Sequence, residues 1–495
     1  MTFLGLDLGT SALKAVLVDE SQRIVADAAI PLRTAVPRPG WSEQSPAHWW
    51  GALQSALAAL RGSHSETLLR IRAIGLSGQM HGAVLLDRDG EPIRPTILWN
   101  DGRAAAECDD LQAAVPGLAE IAGIVAMPGF TAPKLLWLKR HEPENFARVA
   151  KVVLPKDYLR IRLTGEIVTD MSDAAGTLWL DQAKRDWSDR ILAASGLTRS
   201  AMPRLVEGSE VSGRLLPAIA KAFGLPQSTL VAGGAADAAA AGIGIGAVED
   251  EDAFISLGTS TQFFVTDDRY RPQPGTLLHA FAHALPGRWF RMAAMLNGAS
   301  CLDMVARITG KDVVTLLAEA EAAYHGPSRA LFLPYLTGER TPHNDPFARG
   351  VFSGLDHDCG AADLTQAAME GVAFSLLEAR NLLELAGVKL SSVAVVGGGA
   401  RSRFWMQLLS HVLGLPVVRY RDSGTGPAFG AARLARIALT GESARDVCTK
   451  PQVLDVLQPN AALNTAYGPR FEKYRTLYRA LKPEFRAMSE LTRFP

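Results

Sequence analysis

The stretch Phe3-Leu-Gly-Leu-Asp-Leu-Gly-Thr-Ser-Ala-Leu-Lys-Ala-Val-Leu-Val-Asp19 decides the fold. Phe3, Leu4, Leu6 and Leu8 form an apolar run in which Asp7 is the one charge, and an unpaired charge is costly to bury there. Gly9-Thr10-Ser11 predicts a tight turn, and Lys14 to Val18 restarts a strand, so the piece reads as a β-hairpin. Such a turn offers backbone N–H groups and the Thr10 and Ser11 hydroxyls to a phosphate, and Asp7 could hold a divalent metal or a water beside it. An ordinary hairpin with a turn-forming Asp would read the same way.

Repetition separates the two readings. Ala253 to Val265 reads AFISLGTSTQFFV, so Leu-Gly-Thr-Ser at 8–11 returns at 257–260. The recurrence falls near the middle of the chain, which predicts two related halves rather than a short-period solenoid. Each half also has a later apolar strand running into glycines, Leu230 to Asp237 and Val395 to Arg401. The halves differ at one telling position: Asp7 is matched by Ser256, so only the first hairpin carries an acid.

Length and composition bound the rest. A chain of 495 residues exceeds one ordinary core, and two or three domains are expected. Lys+Arg and Asp+Glu are both 51, so net charge gives no case for nucleic acid or an anionic membrane as partner. The four cysteines, Cys108, Cys301, Cys359 and Cys448, are far apart, which fits free thiols in a reducing cytoplasm. The N-terminus has no basic, signal-like segment. Leu230 to Val248 is nearly uncharged but Gly- and Ala-rich, and Asp237 would be costly in a bilayer, so it reads as a strand, a loop and a close-packed helix.

Along the chain, Ile24–Leu32 predicts a third strand, and Ser45-Pro46 opens a helix carrying Trp49, Leu53 and Leu57. Ile71–Leu76 is a strand leaving into Ser77-Gly-Gln-Met-His-Gly82, where His81 reads equally as a ligand or a packed ring. Met127-Pro-Gly-Phe-Thr-Ala-Pro-Lys134-Leu-Leu-Trp137 opens a helical segment, Asp157–Leu163 is helical, and Met171–Thr177 is a loop. Val248–Asp252 is expected to be an exposed acidic linker. His279 and His283 have the i, i+4 spacing of a zinc pair, but no third ligand stands near and the setting is a strand, so packing is the better reading. Leu364–Leu385 is a helix, Val393–Val396 a strand entering Gly397-Gly398-Gly399, and Ser402 caps a further helix. The tail after about Gly441 carries no assigned role.

These residues resemble the FGGY carbohydrate kinases of the actin/hexokinase/Hsp70-like superfamily. Phe3–Val18 is similar to that family's first phosphate loop. Gly129-Phe-Thr-Ala-Pro-Lys134-Leu-Leu-Trp137 and Gly350-Val-Phe-Ser-Gly-Leu355 with Asp363–Glu370 are similar to its two signatures. Trp41-Ser-Glu-Gln44, Gly78–Gly82, Leu98-Trp-Asn-Asp-Gly-Arg103 and Gly338-Glu-Arg-Thr-Pro-His343 look most like the members that act on xylulose. The resemblance runs in order to about Ala435.

It implies an α/β fold of two ribonuclease-H-like domains, Met1–Gly246 and Ala247–Pro495, with the active site in the cleft between them. By resemblance the first domain would bind the sugar and the second ATP. Asp7 would organise Mg²⁺ and ATP; Thr10, Ser11, Gly258 and Thr259 would belong to the two phosphate turns. Gly398 and Gly399 would let the backbone approach the nucleotide. Met80 and His81 would line the sugar pocket, and Asp237 would bind the sugar and act as catalytic base. Ala238 stands where the family commonly has Asn. The implied reaction is ATP-dependent phosphorylation of a ketopentose, D-xylulose first, at its terminal hydroxyl, by a cytoplasmic enzyme that has no nucleic-acid or membrane partner; a homodimer is left open. Three alternatives stand beside it: a kinase of the family for ribulose or gluconate, a non-catalytic ATP-binding sugar sensor, and a dehydrogenase read from Val395-Val-Gly-Gly-Gly. The glycine cluster alone is weak, and the doubled Leu-Gly-Thr-Ser has no place in the last of these.

Overall fold

The opening hairpin forms as its pattern predicts. In the computed structural model, which describes residues 1–421 and 426–491, β1 (Thr2–Leu8) pairs antiparallel with β2 (Ala12–Asp19) in a register running from Thr2 against Asp19 to Leu8 against Leu13. Every residue of β1 is buried. Side chains alternate along a strand, so Leu4, Leu6 and Leu8 face one way, into a core with Trp49, Leu53 and Leu57. Phe3, Gly5 and Asp7 face the other way, and Phe3 packs with Ala428, Phe429 and Ala432 from the far end of the chain. The charge that looked misplaced in an apolar run therefore stands at the end of one face of a strand covered on both sides.

β3 (Ile24–Pro31) extends the hairpin antiparallel. β4 (Ile71–Gly78) then runs parallel to β1; β5 (Val211–Arg214) and β6 (Leu230–Ala232) complete the edge, in the order β5-β6-β4-β1-β2-β3, while β7 (Ala235–Ala236) also pairs with β4. The second half repeats the plan with β8 (Ala253–Leu257), β9 (Thr261–Asp267), β10 (His279–Ala282), β11 (Trp289–Met295), β12 (Val393–Val396), β13 (Val417–Tyr420) and β14 (Val453–Leu457). Their order is β10-β11-β9-β8-β12-β13-β14. Three antiparallel strands followed by two parallel ones, β11-β9-β8 then β12 and β13, match β3-β2-β1 then β4 and β6. This is the ribonuclease-H-like plan twice.

The helices used below are α1 (Pro46–Leu68), α2 (Thr131–His141), α3 (Pro155–Thr164), α4 (Met171–Ala175), α5 (Asp237–Ile245), α6 (Ala361–Leu385), α7 (Arg403–Leu413), α8 (Pro427–Thr440) and α9 (Ala461–Leu491). Ser402 caps α7 through its hydroxyl, whereas Ser45 stands at the N-cap of α1 without a side-chain hydrogen bond.

Two expectations are corrected, and the tail, to which the sequence assigns no role, acquires one. Met171–Thr177 is not wholly loop: Asp170 accepts from the backbone N of Ser172 and Asp173, which nucleates the five-residue α4. The acidic linker is folded back rather than free, since Val248 is buried and Asp252 accepts from the N–H groups of Val248 and Glu249 and pairs with Lys450 at 2.6 Å. The tail is structural: α9 buries Tyr467, Phe471, Tyr474, Tyr478 and Phe485 in the second core, at helical spacing. A cavity of about 700 Å³ opens between α6 and α9, but none of the site residues expected from sequence lines it. His279 and His283 are buried ring-packed side chains, and no cluster of metal-ligating residues occurs among the described residues. No described helix is long and apolar enough to cross a membrane.

Candidate active site

Sheet register brings the first-half residues together. Asp7 on β1 stands opposite Ser77 on β4, and Ser77 stands opposite Ala235 on β7; one step on, Leu8, Gly78 and Ala236 align in the same way. Asp237 follows at once as the first residue of α5, while Gln79, Met80 and His81 leave the end of β4. Asp7, Asp237 and the Met80–His81 pair thus converge at the carboxyl ends of parallel strands, where α/β sheets place their ligands.

Burial makes both acids costly to ionise, and the charge of Asp7 adds to the cost at Asp237. Burial, offset in part by Lys14 and Ser77, pushes the Asp7 carboxyl up to about 6. Burial and then the charge of Asp7 push Asp237 up to about 7, against a 2.7 Å hydrogen bond from the backbone N of Ala238. One oxygen of Asp7, Oδ1, is buried without a hydrogen-bond donor among the described residues. A carboxylate oxygen in that condition suits a hard cation. Ala238 serves Asp237 through its backbone, and its methyl lies in the core.

The Thr10 turn is held by a closed ring of side chains. Trp99 Nε1 donates to Thr10 Oγ1 (2.9 Å), Thr10 Oγ1 to Gln79 Oε1 (3.0 Å), Gln79 Nε2 to Gln44 Oε1 (3.0 Å) and Gln44 Nε2 back to the Thr10 carbonyl (2.7 Å). The Thr10 hydroxyl therefore has its proton engaged by Gln79, while Ser11 is exposed. Gln44, Gln79 and Trp99 had been assigned no role from sequence, although each lies in a motif that marked the resemblance.

His81 sits in the left-handed region at φ +68. Its carbonyl accepts from Thr131 Oγ1 (3.1 Å) and from the buried Lys134 Nζ (2.9 Å), both on α2. Its ring Nδ1 lies 2.6 Å from the Gly176 carbonyl, and burial drives its pKa well down. A carbonyl only accepts, so Nδ1 carries the proton of a neutral ring and Nε2 is left as an acceptor. Gly176 cannot be larger: a Cβ there would stand 2.7 Å from both His81 Nδ1 and Met80 Cε. If Met80 and His81 line a sugar pocket, as the resemblance implies, replacing Gly176 with Ala should displace both side chains and raise the KM for sugar at least tenfold, with the KM for ATP little changed. Unchanged sugar affinity by calorimetry would contradict this.

Behind Asp237 lies a cluster of fully buried charges. Lys156 Nζ meets Asp157 at 2.6 Å, Asp170 at 2.7 Å and Asp173 at 3.2 Å, and Arg160 stands 3.5 Å from Asp157. Arg160 also donates to the carbonyls of Ala232 (2.6 Å) and Gly233, just ahead of β7. Ser172 Oγ donates to Asp170 (2.5 Å) and accepts from the backbone N of Ala236 (3.0 Å). The turn that carries Asp237 is therefore fixed from below by ion pairs and hydrogen bonds.

The second-half residues occupy the matching end of the second sheet. Gly258 and Thr259 form the turn between β8 and β9, fixed by Ala299 N to the Gly258 carbonyl (2.7 Å) and Ser300 Oγ to the Thr259 carbonyl (2.8 Å). Gly397 to Gly399 follow β12, next to β8. Gly398 has open space where a side chain would be, whereas Gly399 is packed on Leu257 and Trp405. Only the first of these two glycines leaves the backbone free to meet a ligand.

Two copies of this sheet plan make up the two-domain, actin- and hexokinase-like architecture. The chain belongs to the FGGY family of carbohydrate kinases: the family's N-terminal domain matches residues 2–244 and its C-terminal domain residues 253–439. It is 49% identical to the xylulose kinase of Escherichia coli K12 over 97% of this chain and 99% of that protein. Among solved structures it is similar to "a xyloylose kinase from Brucella ovis" (46% identity, TM-score 0.93, 97% of this chain and 99% of that one). It is also similar to a gluconate kinase from Lactobacillus acidophilus (26% identity, TM-score 0.91, 98% and 99%).

Proposed function

We propose that this kinase transfers the γ-phosphoryl group of ATP to the terminal hydroxyl of D-xylulose, giving D-xylulose 5-phosphate. What carries the reading is the 49% identity to a xylulose kinase across nearly the whole of both chains. Fold alone does not choose the sugar, because the gluconate kinase matches the same fold at a TM-score of 0.91 with only 26% identity. The sugar lies against Met80 and His81, whose Nε2 accepts from a sugar hydroxyl. Asp237 takes the proton of the attacking hydroxyl as its oxygen bonds to the γ-phosphorus and ADP leaves. ATP lies against the turns Thr10–Ser11 and Gly258–Thr259 and against Gly398, with Gly399 packed beneath. Mg²⁺ entering with ATP would be held by Asp7, and would neutralise phosphate charge there. Closure of the two halves excludes water from the transfer.

The test is a coupled assay over a panel of acceptors. D-xylulose should give the highest kcat/KM, and a preference for D-ribulose or gluconate would overturn the sugar assignment. The duplication supplies a second test. Asp7→Asn should weaken the Mg²⁺ dependence and lower kcat together, while Ser256→Ala at the matching position should do much less. Equal losses from both would contradict the asymmetry of the two halves.

A further inference from the structure

One cation at the junction of the two halves is held by neither a hydrogen bond nor an ion pair among the described residues. Arg340 belongs to the loop Gly338–Thr341, which is bolted to the second sheet. Glu339 Oε1 accepts from the backbone N of Leu296 (2.7 Å) and of Arg340 itself (2.8 Å). Thr341 N donates to the Ala294 carbonyl (3.1 Å), and Asn297 Nδ2 donates to the Gly338 carbonyl (3.0 Å). From that mount the Arg340 side chain reaches the first half: its guanidinium carbon lies 5.7 Å from the centre of the Trp99 ring, and its Nη2 is 3.8 Å from where a Cβ of Gly129 would be. Among the described residues the guanidinium makes no hydrogen bond and no ion pair. A partly buried fork of five donors facing an aromatic ring is left to be satisfied by something that enters the site.

Its surroundings indicate which end of the substrate it meets. Burial first, and the charge of Arg340 after it, lower the pKa of His81, Lys134 and His279. The geometry agrees: Arg340 Nη2 stands beside Gly129, and the next residue, Phe130, packs its ring edge-on against the His81 imidazole with centroids 4.5 Å apart. Arg340 therefore stands on the His81 side of the site.

Resting on the reading of the site as a sugar pocket, we propose that Arg340 is a sugar-binding residue contributed by the second half. Its guanidinium donates hydrogen bonds to the oxygens at the non-reacting, keto end of the acceptor sugar. The sugar is then clasped between His81 of one half and Arg340 of the other, and its binding helps hold the halves together.

The test uses the full-length enzyme and whichever acceptor the wild type prefers in the panel, so that a wrong sugar assignment and a wrong role for Arg340 give different results. Arg340→Met should raise the KM for sugar about 10- to 100-fold, the range for losing a charged hydrogen-bond donor. The KM for ATP should stay within about twofold and kcat within a few-fold, because the reacting end is untouched. Arg340→Lys should recover part of the sugar affinity, since the charge is kept and the fork is lost. Calorimetric titration of the sugar without nucleotide should show the same loss, and the melting temperature should move little, because the Met side chain still packs against the Trp99 ring that the guanidinium faces. Sugar affinity within twofold of wild type would overturn the proposal, and so would a loss confined to kcat or to the KM for ATP, which would place the guanidinium on the phosphoryl group.

Discussion

Asp237→Asn should lower kcat by about 10²–10⁴, the range for removing a general base, while leaving sugar affinity nearly intact. The amide keeps the shape and the hydrogen bond from Ala238 N but cannot accept the proton. Calorimetry beside turnover separates the two effects, and turnover within a few-fold of wild type would remove Asp237 from the role. With Asp237 as the base, the same carboxyl should set the pH dependence. Burial and the neighbouring Asp7 charge raise Asp237 to about 7, and a base works only when ionised. The kcat/KM of the free enzyme should therefore fall about tenfold per unit as pH drops below that value. Because Asp7 is one cause of the raised value, Asp7→Asn should move this acid limb to lower pH as well as lowering the plateau. A profile that stays flat from pH 5 to 8 would contradict both statements.

Lys156→Met should destabilise the protein by about 3–5 kcal/mol, as expected when one partner of a buried ion network is removed. Lys156 lies against three fully buried carboxylates, and Arg160 is the one other cation of the cluster. Burial holds Asp173 well above the usual carboxylate range. Without Lys156 the charges of Asp157 and Asp170 lose their common partner where water cannot replace it. Chemical denaturation measures the loss, and a change under about 1 kcal/mol would mean that the cluster relaxes or hydrates. The contrast with Asp237 is instructive. Both residues are charged and enclosed, but removing Asp237 should cost rate, and removing Lys156 should cost the fold that holds Asp237 in place.

What was legible in the sequence followed short-range pattern. The alternation in Phe3–Asp19 fixed a hairpin, its repetition at 253–265 fixed a second, and strand-end glycines marked where ligands could approach. Asp7, Met80, His81 and Asp237 are neighbours because each ends a strand or begins a helix on adjacent strands, and that much follows from the topology once two parallel strands are placed. The supports were not legible. The ring Trp99–Thr10–Gln79–Gln44 joins four segments up to 89 residues apart, and nothing local in Gln44 or Trp99 announces it. Arg340 comes from the other half altogether. Met171–Ala175 was missed for the opposite reason: a helix of five residues has too few turns for periodicity, and only the cap at Asp170 betrays it. The aromatic spacing of α9 was present in the sequence, but a helix whose face covers a distant core has no local signature of what it covers.

The helix α8 lies in the second half of the chain, yet it rests on the first sheet and on α5. A Cβ on Gly5 would fall 1.8 Å from the Ala428 carbonyl, one on Gly75 1.8 Å from that of Ala431, and one on Gly430 1.9 Å from that of Ala240. At these three points backbone touches backbone, with no side chain between. The division between the halves in sequence is therefore not their division in space. A fragment ending near Gly246 would bare one face of its own sheet at Phe3, Ala73 and Ala232 and would lose the helix against which α5 is seated. Since α5 begins with Asp237, the position of that carboxyl is inherited from residues some 190 places further along the chain. The halves repeat one plan, but the first is closed only by a helix of the second.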